Sequence, residues 1–226
     1  MDINEIYKSD GLLAVIKPQG VASVPGKLPD ICSAVLGKYP NIEKVNGFNK
    51  LEGGLLNRLD NETGGILLFA ETDEAFEYYK KSTIHKYYYA VTAHKPDWVE
   101  KDVDFPIAHH YSDKSRMTAL ISNKADTALK YRGKPQSAHT HLRFIKEYDS
   151  VSLIEAEIIK GCRHQIRIHM AAVNLPILGD KLYSKTKKAA TYHQLFCCKV
   201  ALKTLSGENI EIKYLPDELR EIMQSH

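Results

Sequence analysis

The chain has 226 residues, of which 43% are hydrophobic and 26% charged, and a net charge of +3. That length and composition suit a globular protein with a sizeable core and exclude a disordered polyelectrolyte. No apolar run approaches the roughly 20 residues of a membrane-crossing helix, and the opening MDINEIYKSDG is too polar for a secretory leader, so a cytosolic location is expected. The four cysteines, at 32, 162, 197 and 198, form no CxxC pair and no zinc-ligand spacing; they read as reduced, mostly buried thiols.

In chain order, residues 11–17 (GLLAVIK) form a short apolar run stopped by Pro18 and Gly20, a strand pattern. Residues 23–29 read as loop. Asp30 is placed to cap a helix running to Lys38, and the polar stretch 44–54 turns at Asn46-Gly47. Residues 66–70 (ILLFA) predict a buried strand. Thr72 then caps a helix with Asp73 and Glu74 in its first turn and Lys80 and Lys81 in its last, charges that suit the helix dipole. Residues 87–93 predict a tyrosine-rich strand, and 94–134 an irregular stretch. Residues 139–148 and 151–160 predict a hairpin turning at Asp149-Ser150. A helix is expected over 164–174, strands over 195–202 and 209–214, and a last helix opening at Pro216-Asp217. Strands outnumber helices and join mainly by hairpins, which predicts an α+β fold with a mixed, mainly antiparallel sheet flanked by helices and loops. No repeat or linker interrupts the chain, so a single domain over 1–226 is the simplest parse.

Charge is unevenly spread. From Lys114 to Lys146 there are eight Lys or Arg and one acid, Asp126; from Lys160 to Lys203 there are nine and one acid, Asp180. Such blocks suit either a polyanion-binding face or a solvated lysine surface. Three segments carry candidate chemistry. In LNRLDNETGGILLFA, Asp60 sits in a Gly-flanked polar loop ahead of a buried strand, a common seat for a catalytic group, with Arg58 close enough to meet a phosphate. In IHKYYYAVTA, strand alternation sets Lys86, Tyr88 and Ala90 on one face; a tyrosine can stack on a base and a lysine can meet a phosphate. In KGCRHQIRIHMAAVNLPILGDKLY, Arg163, His164 and Arg167 are expected in the first turns of one helix, with Arg163 and Arg167 sharing a face. Cations at a helix N-terminus call for a partner anion.

Together the three segments resemble the RluA-type RNA pseudouridine synthases. The first signature of that family, HRLD with a Thr-Ser-Gly step and an apolar strand, matches Asn57-Arg58-Leu59-Asp60, Thr63-Gly64-Gly65 and Ile66-Leu67-Leu68. The second, Lys-x-Tyr-x-Ala, matches Lys86, Tyr88 and Ala90. The third, Gly-Arg-x-His-Gln-Ile-Arg-x-His followed by Pro-Ile-x-Gly-Asp and a Tyr, matches Gly161, His164-Gln165-Ile166-Arg167, His169, Pro176-Ile177, Gly179-Asp180 and Tyr183, with Arg163 at its open position. Weaker echoes occur at Lys17-Pro18-Gln19-Gly20, Arg116-Met117 and Gly133-Lys134. The chain departs from the pattern at Asn57 (family His), Gly64 (Ser), Cys162 (Arg) and Leu195-Phe196-Cys197 (Leu-His-Ala).

The resemblance implies a pseudouridine synthase fold without an S4 RNA-binding domain. It also implies isomerisation of uridine in rRNA or tRNA, with Asp60 as nucleophile. By the same resemblance Arg167 keeps Asp60 ionised, Tyr88 stacks on the uracil, Ile166 gives the base an apolar wall, and Arg58, Lys86, Arg163, His164 and Gln165 bind substrate. The reaction needs no redox step, so no cofactor and no metal are expected, and no membrane; a monomer is the default. Two other readings have sequence features behind them. One is an RNA-binding module without turnover, suggested by Asn57, Gly64 and Cys162. The other is a metal-dependent hydrolase using histidines such as His139 and His141.

Overall fold

The computed structural model describes residues 1–26, 29–121, 131–149, 151–185 and 190–224. The elements begin with β1 (Asn4–Ser9), β2 (Leu12–Lys17), α1 (Ile31–Lys38), α2 (Pro40–Glu43), β3 (Gly64–Ala70), α3 (Asp73–Lys81) and β4 (His85–Thr92). They continue with β5 (Glu100–Val103), β6 (Ile107–His110), β7 (Met117–Ala119), β8 (Tyr131–Gln136), β9 (Thr140–Tyr148) and β10 (Val151–Ile158). The last are α4 (Gln165–Ala172), β11 (Leu195–Lys203), β12 (Asn209–Lys213) and α5 (Asp217–Gln224). This is an α+β fold. Among the described residues no helix is long and apolar enough to cross a membrane.

The chain divides into two compact units, Met1–Tyr87 with Phe196–Leu219, and Tyr88–Leu195 with Arg220–His226. The boundary falls inside β4, between Tyr87 and Tyr88. In the first unit the strand order is β1-β2-β3-β11, with β12 along β11. β1, β2 and β3 are antiparallel, whereas β3 and β11 pair parallel through Phe196 with Gly64 and Cys197 with Gly65. Every residue of β2 and β3 is buried, which is why both read as unbroken apolar runs rather than as alternation. Helix caps follow the sequence: Asp30 accepts from the Ser33 amide at 2.6 Å and Thr72 from the Ala75 amide at 3.1 Å. β1, by contrast, is polar and exposed along much of its length and is held by its pairing with β2, so its sequence carries no strand signal.

In the second unit β4, β10, β9 and β5 lie side by side in that order, and β7-β6-β8 form a separate three-stranded sheet. Four short strands therefore occupy the 94–134 stretch that the sequence presents as irregular; β5 and β8 are largely exposed and show no apolar period. The β9–β10 hairpin turns with Asp149 in the left-handed region, φ 41°. A register shift at Leu153/Ile154 and burial on both faces of β10 account for its imperfect alternation. α4 lies against β7 and β9, and Ile107, Met117, Ala138 and Ile168 form a small core there, with Cys162 and Tyr183 packed against it. Cys32, Cys197 and Cys198 are buried and Cys162 partly so, all as free thiols. Lys27, Ser150 and the Lys124, Asp126, Lys130, Lys187 and Lys188 members of the basic blocks lie outside the described residues.

Candidate active site

The candidate residues fall on both units: Arg58, Asp60 and Lys86 on the first, Tyr88 and residues 163–167 on the second. In the first unit, Asp60 opens a turn closed by the Thr63 amide on the Asp60 carbonyl at 3.0 Å, directly ahead of β3. Both neighbours of Asp60 are clamped by the segment that follows β2. The buried Ser23 hydroxyl donates to the Leu59 carbonyl at 2.7 Å and accepts from the Leu59 amide at 2.9 Å. The Asn61 carbonyl accepts from the Gly20 amide and from Lys17 Nζ, both at 2.9 Å. Lys17 Nζ also donates to the carbonyls of Pro18 (2.9 Å) and Val21 (2.7 Å). Burial pulls the Lys17 pKa down to about 7, and the nearby Asp60 charge acts to raise it. An ammonium has three N–H donors and an amine two, so the three-carbonyl cage matches the charged form.

Asn57, where the resembling family has His, ties the turn to β3. Its Oδ1 accepts from the Leu68 amide at 2.8 Å and its Nδ2 donates to the Ile66 carbonyl at 3.4 Å, as a neighbouring strand would. Two other departures meet each other. A side chain at Gly64 would place its Cβ 3.0 Å from the buried Phe196 ring, so the residue opposite Phe196 has to be small. At Gly65, φ is 115° and a Cβ would lie 2.2 Å from the Cys197 carbonyl oxygen; only glycine fits. Arg58 does not stand as a free phosphate ligand. Its guanidinium holds the buried Glu52 carboxylate through Nη2 at 2.6 and 2.7 Å and Nε at 3.2 Å, which offsets its charge. Lys86 is partly buried, and burial lowers its pKa.

In the second unit, Tyr88 is 5% exposed and Ile166 4% exposed. α4 begins at Gln165, later than the sequence indicates, because His164 takes a left-handed conformation at φ 57°. Arg163 therefore precedes the helix and shares no helical face with Arg167; it donates instead to the carbonyls of Lys114 (3.2 Å) and Ser115 (3.3 Å). The anion that the cationic helix start calls for is present within the chain. Arg167 grips Asp180 through Nε (2.7 Å) and Nη2 (2.9 Å), both residues being buried. Burial raises the Asp180 pKa, but the bonds and charge of Arg167 outweigh it and leave the carboxyl below its ordinary value. The Arg167 guanidinium also lies over the Tyr183 ring at 5.4 Å. The Tyr183 hydroxyl in turn pairs with His164 Nδ1 at 2.9 Å and accepts from the Met117 amide at 2.8 Å.

Gln165 is 3% exposed. Its Oε1 accepts from the Cys162 amide, and its Nε2 donates to the His139 carbonyl and the Thr140 hydroxyl, so its amide fastens α4 rather than facing substrate. His169 is fully buried between the Thr140 hydroxyl and the Phe105 carbonyl, and burial lowers its pKa, which favours the neutral ring. His139 pairs with Asp104 at 2.6 Å and His141 with Asp102 at 2.9 Å. Among the described residues no group of three or more His, Cys, Asp or Glu is arranged to hold a metal ion. Lys17 and Asp180 enter the sequence reading only within family-like motifs and Ser23 only as loop, with no role given to Lys17, to Ser23 or to an Arg167–Asp180 pair. The first was signalled by a lysine ending a wholly apolar strand; the last joins residues 13 positions apart through a loop, with no periodicity to reveal it.

Residues 11–172 match the family model for RNA pseudouridylate synthase, and the chain belongs to that family. Among curated relatives, it is 30% identical over 190 residues to the ribosomal large subunit pseudouridine synthase D of Nitrosomonas europaea, covering 80% of this chain and 49% of that protein. It is 26% identical to the uncharacterized RNA pseudouridine synthase YlyB of Bacillus subtilis, covering all of this chain and 73% of YlyB. The chain thus spans about half the length of the Nitrosomonas relative. Among solved structures, human RNA Pseudouridylate Synthase Domain Containing 1 has the same fold. The TM-score is 0.74 at 19% identity, over 98% of this chain and 86% of that one.

Proposed function

We propose that the chain converts uridine in RNA to pseudouridine, with Asp60 as the nucleophile. The observation that carries this reading is the double clamp on Asp60, Ser23 on Leu59 and Lys17 with Gly20 on Asn61, inside the segment that matches the family. A carboxylate whose backbone is fixed on both sides starts the reaction with little reorganisation. The glycosidic bond from N1 to C1′ breaks, C1′ joins C5, the C5 proton leaves, and N1 regains a proton. Nothing is oxidised or reduced, and no group is added. Asp60 serves by attack on C1′ or by acting on the sugar so that uracilate departs. Tyr88 and Ile166 supply ring and apolar surface for the base, and the uridine leaves its stack to reach them, at a cost of a few kcal/mol. Arg167, fixed by Asp180 and Tyr183, supplies the cation.

The test is to incubate the protein with unmodified total RNA from a host lacking the activity and to map carbodiimide-dependent reverse-transcription stops. New stops with the wild type and none with Asp60→Asn are expected, while the RNA affinity of the variant stays within a few-fold. Normal product formation by Asp60→Asn would refute the assignment.

A further inference from the structure

Three arginines meet around the last residue of β6 and the β6–β7 turn that follows it, residues 111–116. Arg163 reaches it through the carbonyls of Lys114 and Ser115, at 3.2 and 3.3 Å. Arg132, on the edge strand β8, donates to the carbonyl of His110, the residue before the turn, at 3.1 Å. Arg116 lies in the turn itself with its guanidinium over the Tyr183 ring at 5.6 Å, and its Nε is buried with no hydrogen-bond partner. Among the described residues none of these three guanidiniums has a carboxylate ion pair. The one acid of the turn, Asp113, uses its carboxylate on the amide (2.8 Å) and hydroxyl (2.5 Å) of Ser115. A buried guanidinium nitrogen without an acceptor is costly, as at Arg116, while Arg132 and Arg163 are exposed and hold only backbone carbonyls; like charges placed around one turn favour an added anion.

Beside them stand two aromatic faces. Tyr111 is 52% exposed and Tyr131 43% exposed, and Tyr131 is paired in register with His110. Arginine forks match phosphate oxygens, and exposed rings stack on bases irrespective of sequence.

We propose that the β6–β7 turn is a seat for the phosphodiester backbone of RNA, held by Arg116, Arg132 and Arg163, with Tyr111 and Tyr131 stacking on neighbouring bases. The seat rests on the reading of the chain as an RNA-modifying enzyme and adds a place where the RNA is gripped by its backbone and not by its sequence. Such contacts position a substrate and make its binding salt-dependent.

The experiment is a fluorescence-anisotropy titration of a short unmodified RNA hairpin across a potassium chloride series. It uses wild type, Arg116→Gln, Arg132→Gln, Arg163→Gln and, as a control, Lys81→Gln, whose lysine pairs with Glu77 on α3. Each arginine variant is expected to bind several-fold more weakly at low salt. Each also lowers the slope of log affinity against log salt by about 0.7 to 0.9, the release of counterions from one phosphate. Lys81→Gln keeps the wild-type slope. Arg132 and Arg163 are exposed, so their variants fold whatever becomes of Arg116→Gln. Wild-type slopes in Arg132→Gln and Arg163→Gln overturn the seat, as does an equal loss in Lys81→Gln. Pseudouridine mapping on the same wild-type preparation separates the two ideas. Product with unchanged slopes removes only the seat; lowered slopes without product leave the seat standing and remove the enzymatic reading.

Discussion

Lys17 has no surface exposed to water, yet it directs three donors at three carbonyls, one of them belonging to the residue after Asp60. Losing its proton takes one donor from that cage and a positive charge from the neighbourhood of the carboxylate. Its pKa, brought down from 10.5 to about 7 by burial, puts that loss in the working range. Turnover by the wild type is therefore expected to fall as pH rises through about 7. Lys17→Met should be slower by roughly tenfold, equivalent to about 1.4 kcal/mol, and should lack that alkaline limb. Stability runs the other way. Between about 7 and 10.5 the folded chain holds fewer protons at this site than the unfolded chain, so this group's contribution to folding free energy grows with pH across that window. Rate–pH profiles and denaturation midpoints of both proteins check it; superimposable rate profiles would remove Lys17 from the reaction.

At the scale of elements, the departures from the family pattern prove to be linked. Gly64 and Phe196 are partners across the parallel β3–β11 pair, and a Cβ on the first would press on the ring of the second. Gly64→Ser is expected to destabilise the chain by roughly 1 to 3 kcal/mol, the usual cost of overpacking. Phe196→His in the same chain should recover part of it. A double-mutant cycle on thermal midpoints reads the coupling, and additivity of the two changes would show the positions to be independent. This linkage was not legible in the sequence, where the two residues stand far apart and only the strand pairing joins them. What was legible had a local cause. Asp30 and Thr72 announce α1 and α3 by capping chemistry, and β2 and β3 announce themselves by burial on both faces. β1 and β5 to β8 were hidden because exposed or short strands take their conformation from their neighbours. The start of α4 was misplaced because one left-handed histidine, His164, delays it. Of the candidate site, the motifs pointed to Asp60, Tyr88 and Arg167. They could not show that Arg167 is bound to Asp180, or that Arg58 is bound to Glu52.

For the whole molecule, the basic character that composition conceals under a net charge of +3 is concentrated by the fold. Part of it gathers at one turn of the second unit, while Arg58 and Arg143 are offset by Glu52 and Glu155. The proposed isomerisation balances without an oxidant or a reductant, and His139 and His141 have aspartate partners. Turnover on RNA is accordingly expected to persist at full rate after prolonged dialysis against a chelator of zinc and other transition metals. A loss restored by adding zinc would revive the hydrolase-like reading of His139 and His141.

The first unit is discontinuous in the chain, and that carries a consequence for its birth on the ribosome. β3, which follows the Asp60 turn, is flanked over residues 66–70 by the already translated 54–57 segment, whose Gly54 carbonyl and Leu56 amide bond Ala70 and Leu68. Its Gly64-Gly65 end gains a second neighbour only when β11 emerges, after residues 88–194 have been made. Throughout that interval only the Gly64-Gly65 end of the strand stands open to other strands, a short stretch of the kind of edge that finished proteins cover. The second unit can complete its sheets and its α4 core in the meantime. The nascent chain thus completes the strand end nearest Asp60 last, and chaperone dependence or misfolding in this protein should be set by the time between translating residue 70 and residue 203 rather than by its total length.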